Sequence, residues 1–223
     1  MRANLINPLG PMIYLASRSP RRIELLTLVG AHFASMPVDL EERIEPGERA
    51  EAHVLRLAEA KARAAVARAE AASEPGEAVF VGADTVVTID RAILGKPAGA
   101  PEAEEMLARL SGRVHEVWTG LYVLDPADGR STGGAQRSIV KFARLEPEEI
   151  RSYVATGEPL DKAGAYAVQG YASLFVEGIE GSYSNVVGLP LSYLRHLLTV
   201  LREAPAPGPE ERGGGGLTGV RRP

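Results

Sequence analysis

The sequence predicts an α/β (α+β) fold built on a mixed β-sheet with flanking helices. Two observations carry this prediction. Apolar runs of strand length alternate with segments that have helical signals along the chain. In addition, 45% of the 223 residues are hydrophobic, which is enough for a substantial core in one large domain or two small lobes. We therefore expect a folded enzyme.

The first strand and helix have the clearest local signals. The apolar segment at residues 12–16 predicts a strand. Ser19 suits the N-cap of a helix, and Pro20 suits its first position because that position has no intrahelical N–H bond to lose. Gly30 is a stop signal, so this helix is predicted over residues 20–29.

The remaining elements follow in order. A strand at 32–38 precedes a long Ala-rich helix at 50–72, and the almost wholly apolar run at 78–89 predicts the next strand. Further along, helices that each open at a proline alternate with β-branched and aromatic strand segments. These elements are the helix at 101–110, the strands at 114–124 and 135–145, the helix at 147–153, the strand at 173–179 and the helix at 190–201.

The elements divide the chain into three regions. Residues 1–11 are predicted to be an N-terminal extension, and residues 12–203 form the domain. Residues 204–223 are rich in proline and glycine and contain almost no large apolar residues. Such a segment cannot offset the entropy that ordering costs, so we predict a disordered tail.

Charge and composition exclude several classes of function. The 29 acidic and 25 basic residues give a formal charge of -4, so no global positive field attracts nucleic acid or an anionic membrane. No apolar run is long enough for a membrane span, and no signal peptide is visible. Cysteine is absent, which excludes a disulfide framework and a thiol nucleophile. We expect a cytoplasmic protein with no membrane or nucleic-acid partner.

Familiar binding motifs are also missing. Lys96 is followed by proline instead of serine or threonine, which excludes a phosphate-binding P-loop. No glycine fingerprint of a dinucleotide-binding fold follows a strand, and the four histidines lack the spacing of metal ligands. The chemistry is therefore expected from carboxylates, lysines and arginines.

The run SRSPRR places three arginines at the start of the first helix, where a cation is unfavourable. Arg18, Arg21 and Arg22, together with the helix N–H groups, would form a pocket for a phosphate or a carboxylate. The alternative is a solvated basic turn that pairs with surface acids such as Glu24.

Two charged residues interrupt apolar patterns. Lys61 is the only charge on the apolar stripe of the long helix, where it either reaches an anionic ligand or extends to water. Asp84 interrupts an apolar strand, and a buried carboxylate requires compensation. It is either a hydrogen-bonded residue at a bulge marked by Gly82, or a carboxylate balanced by a lysine or metal ion and suited to activating water.

Three further groups complete the candidate site. The loop DLEER offers Asp39, Glu41 and Glu42 as ligands for a hard cation, unless it is only solvated surface. A hairpin after the Asp84 strand would return Lys96 to the same pocket. Gln169, unless it simply faces solvent, would match the adjacent N3–H and O4 of uracil or thymine because an amide both donates and accepts.

Taken together, these segments resemble the Maf family of nucleoside triphosphate pyrophosphatases. The resemblance runs in one order from about residue 15 to residue 191, and the matching stretches are LASRSPRRIELL, RLAEAKARA, GADTVV, LGKP, LSGRVHEVWTG, EPLDKAGAYAVQG and VEGIEGSYSNVVGLPL. It implies an elongated fold similar to that of the inosine triphosphate pyrophosphatases, with a cleft between two lobes, and often a homodimer. It also implies cleavage between the α and β phosphates of a nucleoside triphosphate, with a divalent cation, Mg²⁺ or Mn²⁺.

The resemblance also implies roles for individual residues. Asp84 matches the family's proton acceptor and lies near the metal, with Glu42 at a second acidic position; whether Asp84 is the base or mainly a metal ligand stays open. The positions expected to hold phosphates are Ser17, Arg22, Lys61 and Lys96.

Three other positions divide the family by substrate, and here they are Arg21, Thr85 and Gln169. This combination favours dTTP and UTP over 7-methyl-GTP. Arg18 departs from the family pattern, since relatives often have a small residue there.

Two alternatives stay open at this point. One is a pyrophosphatase that prefers 7-methyl-GTP or another modified nucleotide, and the other is a non-catalytic regulator of septum formation.

Overall fold

A seven-stranded mixed sheet organises the chain. The computed structural model of the protein describes residues 12–71 and 78–204. Its strands are β1 (Met12–Leu15), β2 (Phe33–Ser35), β3 (Ala78–Ile89), β4 (Ala92–Leu94), β5 (Val114–Leu124), β6 (Ser131–Phe142) and β7 (Val176–Glu180). Its α-helices are α1 (Pro20–Leu28), α2 (Ala50–Ala71), α3 (Ala100–Leu110), α4 (Pro147–Ala155), α5 (Tyr183–Val187) and α6 (Leu191–Glu203).

Most predicted elements are confirmed, and the bounds of β3 and β5 match the prediction to the residue. Strand β6 begins four residues earlier than predicted, and the segment before β7 forms a short 3₁₀ helix, Tyr171–Leu174, instead of strand. Strand β4 and helix α5 were not among the elements predicted from the sequence. The predicted extension at 1–11, residue 72 of the predicted long helix, and the predicted tail after residue 204 lie outside the described residues.

The strand order is β2-β1-β3-β5-β6-β7, with β4 also paired to β3. Strand β1 is parallel to both of its neighbours, whereas β3, β5, β6 and β7 form antiparallel pairs. The pairing of β1 with β3 ends at Val81, and the pairing of β4 begins at Val87. Residues 82–86 of β3 are therefore hydrogen-bonded to a neighbouring strand only on the β5 side, which opens a gap in the sheet.

Alternation along β3 separates two packed layers. Val79 and Val81 belong to the main core, which includes buried residues of α1, α3, α4 and α6. Ala78 and Phe80 belong to a smaller cluster that includes Ala65 and Ala69 of α2. Because successive side chains of a strand face opposite sides of a sheet, the sheet lies between α2 and the other helices.

Helix α2 approaches the sheet unusually closely at two glycines. A Cβ at Gly82 would lie 1.9 Å from the Ala58 carbonyl oxygen, and one at Gly120 would lie 2.3 Å from that of Val54. The pairing of β3 with β5 is continuous through residues 80–88. The interpretation of Gly82 as a bulge is therefore wrong, since the glycine instead makes room for a helix.

No helix within residues 12–71 and 78–204 has the length and apolar character that crossing a membrane requires.

Candidate active site

The gap in the sheet opens into a cleft of about 750 Å³. The start of α1, the loop before α2, the centre of β3 and the segment at 161–168 line this cleft. A second cavity of about 550 Å³ adjoins it and shares Glu42, Asp84, Thr85 and Lys96. The structure therefore brings predicted residues from the SRSPRR run, the DLEER loop, α2, β3 and the segment after β4 to one place.

The start of α1 forms one wall of the cleft. Ser19 occupies the N-cap position, as predicted, but its side chain makes no capping hydrogen bond. Instead, its backbone N–H donates to Ser17 Oγ at 3.2 Å. The first turn of the helix is thus left without a side-chain cap at the edge of the cleft, which is the arrangement that suits an anion.

Arg22 is buried and holds the cleft together. Its Nη1 donates to the Ala83 carbonyl at 2.9 Å and to Ser17 Oγ at 3.1 Å, and its Nε donates to the Gly188 carbonyl at 2.8 Å. Its Nη2 donates to Thr85 Oγ1 at 3.0 Å. Four of its five N–H groups are thus used within the protein, which leaves one for a ligand.

The hydroxyl of Ser17 has an unusual place in this network. Its oxygen accepts from the backbone of Ser19 and from Arg22, so neither neighbour accepts the hydroxyl hydrogen. Ser17 is buried and lines the cleft. No residue within 12–71 and 78–204 accepts the hydroxyl hydrogen, so this O–H group can donate to a ligand oxygen.

The other two arginines of the SRSPRR run differ in environment. Arg18 is exposed and forms a salt bridge with Asp39 at 2.8 Å. Arg21 is half-buried; burial lowers its pKa below the ordinary value, while Asp161 and Glu24 oppose this shift. The interpretation as a solvated basic turn therefore describes Arg18 alone.

Lys61 and Asp84 form a buried ion pair across the gap. Lys61 Nζ lies 2.7 Å from Asp84 Oδ1 and 2.6 Å from Glu42 Oε1, and the Lys61 and Asp84 side chains are each less than 10% exposed. The prediction that a lysine compensates Asp84 is confirmed, and the interpretation of Lys61 as extending to water is wrong. Asp84 Oδ2 receives no hydrogen bond from any other described residue.

Lys96 completes the cluster of charges. Strand β4 returns the chain so that Lys96 Nζ contacts Glu42 Oε2 at 3.0 Å, which confirms the predicted hairpin. Burial opposes ionisation of Glu42, but Lys61 and Lys96 outweigh this effect and lower its pKa to about 2. Glu42 is thus a carboxylate at neutral pH and holds two lysines at the cleft.

The acidic groups here suit a hard cation. Asp84 and Glu42 contact the same ammonium group, so both carboxylates belong to one part of the cleft. Within residues 12–71 and 78–204 no cluster of three or more His, Cys, Asp or Glu side chains is placed to enclose a metal. Mg²⁺ commonly binds through one or two carboxylates together with water and substrate phosphates, so this pair fits such an ion.

The three positions predicted to determine substrate preference lie in different settings. Thr85 lines the cleft and accepts from Arg22, and its hydroxyl bonds that of Thr119 at 2.9 Å. Because Thr119 itself donates to the Asn185 carbonyl, Thr85 is the donor of that bond. Its oxygen thus accepts from Arg22 while its hydrogen is used on Thr119. Gln169 is exposed in a turn beside the cleft-lining Val168.

Sequence reasoning overlooked two residues that line the cleft. Lys162 lies in a Gly/Ala-rich stretch after the predicted helix at 147–153, yet its side chain is only 14% exposed and pairs with Asp161. Tyr166 is buried and bonds His115 Nε2 at 2.8 Å. The signal available for Lys162 was an isolated cation in a stretch of small residues.

His115, behind Tyr166, makes stability depend on pH. Burial lowers its pKa to about 4, from 6.5. Between these values the unfolded chain binds more protons than the folded protein, so stability falls as the pH falls, by up to about 1.4 kcal/mol per pH unit. We expect His115→Gln to flatten this slope between pH 6.5 and 4, measured by urea unfolding. The control is His196→Gln, at an exposed position; equal slopes for the parent and His115→Gln would contradict the assignment.

Comparison with known proteins matches the chain to one family. The profile described as "Maf-like protein" matches residues 12–201. The chain belongs to the Maf family. A relative from Geobacter sp. (strain M21), named dTTP/UTP pyrophosphatase, is 51% identical over 189 residues, which cover 85% of this chain and 95% of the relative.

Other Maf relatives carry the same name. The dTTP/UTP pyrophosphatase of Burkholderia thailandensis is 49% identical over 190 residues, covering 82% of this chain and 90% of its own. That of Geotalea uraniireducens is 50% identical over 179 residues, which cover 80% of this chain and 89% of the relative. The Maf match includes every residue assigned to the candidate site, from Ser17 to Gln169.

Proposed function

We propose that this Maf-family chain hydrolyses nucleoside triphosphates, preferring dTTP and UTP, between the α and β phosphates. The products are the nucleoside monophosphate and pyrophosphate. The observation that carries the proposal is the buried Asp84 at the gap in the sheet, paired through one oxygen with Lys61 and free at the other. The names of relatives about 50% identical over most of the chain support the substrate.

The triphosphate is bound by donors from three elements. The free hydroxyl of Ser17 and the remaining N–H of Arg22 lie at the start of α1, and Lys61 and Lys96 reach the cleft from α2 and from the end of β4. Glu42 holds both lysines before substrate binds. Phosphate oxygens of the bound substrate then also contact these lysines. The negative charge that develops on the phosphates during the reaction is therefore neutralised by the ammonium groups.

Asp84 acts on the attacking water. Its free Oδ2 accepts the water proton while the Lys61 ammonium fixes Oδ1, so the carboxylate is oriented before substrate binds. A divalent cation, Mg²⁺ or Mn²⁺, held by Asp84 and Glu42, would supply further neutralisation of phosphate charge.

Base preference is assigned to Arg21, Thr85 and Gln169. Thr85 acts through Arg22, whereas Gln169 offers an amide at the rim that can pair with N3–H and O4 of a uracil or thymine edge. A 7-methyl-GTP pyrophosphatase is the competing substrate assignment, and a non-catalytic regulator of septum formation is the competing class.

A nucleotide panel with detection of pyrophosphate tests the proposal. We expect dTTP and UTP to give the highest kcat/KM among dTTP, UTP, CTP and 7-methyl-GTP, and EDTA to remove the activity until Mg²⁺ or Mn²⁺ is restored. Preference for 7-methyl-GTP would overturn the base assignment. Absence of pyrophosphate release with every nucleotide and metal would overturn the enzymatic proposal.

We also propose that residues 12–203 form the catalytic domain and that it assembles as a homodimer. Analytical ultracentrifugation of the full chain tests the dimer, since a single monomeric species at micromolar concentration would contradict it.

A further inference from the structure

The placement of the Gln169 side chain depends on the backbone turn that carries it. Its side chain is exposed and bonds no other described residue. The surrounding turn is closed by a hydrogen bond from the Gly170 N–H to the Ala167 carbonyl, at 3.0 Å. Whatever fixes this turn therefore fixes the point at the rim of the cleft from which the amide side chain extends.

Two side chains hold the turn at both ends. The Tyr153 hydroxyl oxygen accepts from the Ala167 N–H at 3.3 Å, just before Gln169. The Glu158 carboxylate accepts from the Tyr171 N–H at 3.1 Å, just after it. The two side chains are joined, because the Tyr153 hydroxyl donates to Glu158 Oε1 at 2.7 Å.

This clamp of Tyr153 and Glu158 is rigidly seated. Tyr153 is 3% exposed, and its ring packs edge-on against Phe175 with centroids 5.3 Å apart. Burial and the bond to Glu158 raise the pKa of the Tyr153 hydroxyl, which therefore stays a neutral donor. A Cβ at Gly170 would lie 2.0 Å from Glu158 Oε2, so the carboxylate fills the space that a side chain there would need.

Glu158 also acts electrostatically on Arg21, which lines the α1 wall of the cleft. Its charge favours the ionised form of the half-buried Arg21, as do the charges of Asp161 and Glu24. One carboxylate thus influences Arg21 electrostatically and holds the Gln169 turn by hydrogen bonds.

We propose that Glu158, through the clamp with Tyr153, is a positioning residue that sets base preference by fixing the turn of Gln169. This inference rests on the proposed function and deepens it. Glu158 does not line the cleft; it acts by fixing the backbone position from which the Gln169 side chain extends.

The test compares Glu158→Ala with Glu158→Gln. The measured quantity is the ratio of kcat/KM for dTTP to that for CTP, in which the fraction of folded enzyme cancels. We expect alanine to lower this ratio about tenfold, since both bonds to the carboxylate are lost. Glutamine should retain most of it, because its amide can accept from Tyr171 and donate to Tyr153. An unchanged ratio in the alanine variant, or equal losses in both variants, overturns the clamp.

A double-mutant cycle tests whether Glu158 acts through Gln169. In a Gln169→Ala background, Glu158→Ala should change the ratio no further, whereas a full additional loss overturns the inference. The control is Glu148→Ala, which removes only a surface pair with Arg151 and should leave the ratio unchanged. If the parent protein hydrolyses no nucleoside triphosphate, the proposed function itself fails. An active parent with an unchanged ratio in Glu158→Ala defeats the clamp alone.

Discussion

Replacing Asp84 by asparagine is expected to lower kcat about a thousand-fold while the protein stays folded. Asparagine has nearly the same shape, and its amide oxygen can still accept from Lys61, which also keeps its contact with Glu42. What is lost is the carboxylate that we propose takes the proton and contributes charge. Pyrophosphate release under saturating dTTP measures the effect, and thermal unfolding checks the fold.

The control for this variant is Asp90→Asn. Asp90 begins the turn after β3 and pairs with Arg113 at 2.6 Å, but it is exposed and does not line the cleft. Its backbone φ of 52° is one that asparagine adopts readily. Full activity in Asp84→Asn would remove Asp84 from the mechanism, and an equal loss in Asp90→Asn would point to a general effect of charge.

The Gly82→Ala variant is expected to lose about 3 kcal/mol or more of unfolding free energy. The new Cβ would lie 1.9 Å from the Ala58 carbonyl oxygen, which belongs to the helix backbone and cannot rotate away. Helix α2 would have to move off the sheet and would carry Lys61 away from Asp84. Activity should therefore fall together with stability.

Urea unfolding measures this loss, with Gly178→Ala as the control. Gly178 lies in β7, and a Cβ there would meet nothing within 4 Å. Its replacement should change the unfolding midpoint little. A Gly82→Ala protein as stable as the parent would show that α2 can shift at low cost, contrary to the close packing described above.

The sequence predicts most of the fold because its signals are local. A proline at the start of a helix and a run of β-branched residues in a strand are signals that involve only a few neighbouring residues. This locality explains the correct bounds of β3 and β5. The early start of β6 has no such signal. Gly133 and Gly134 carry no apolar side chain, and it is the pairing with β5 that extends the strand.

The site was predictable where a residue conflicts with its own segment. Lys61 and Asp84 each interrupt an apolar pattern, and the structure pairs them. The hydroxyl relay from Thr85 through Thr119 could not be foreseen, because nothing in either strand indicates which hydroxyl donates. The error at Gly82 has a similar origin, since a glycine within a strand indicates a bulge and a close helix equally well.

The hydrogen bond from Arg22 to the Gly188 carbonyl joins positions 166 residues apart in the chain. During synthesis, α1 leaves the ribosome long before its partner exists, so the arginine that holds the cleft together has no acceptor there until nearly the whole domain has emerged. Contacts of such sequence separation are costly to close and form late. Secondary structure of the early segments should thus precede nucleotide binding, and a nascent chain shorter than about residue 188 should lack an assembled catalytic centre.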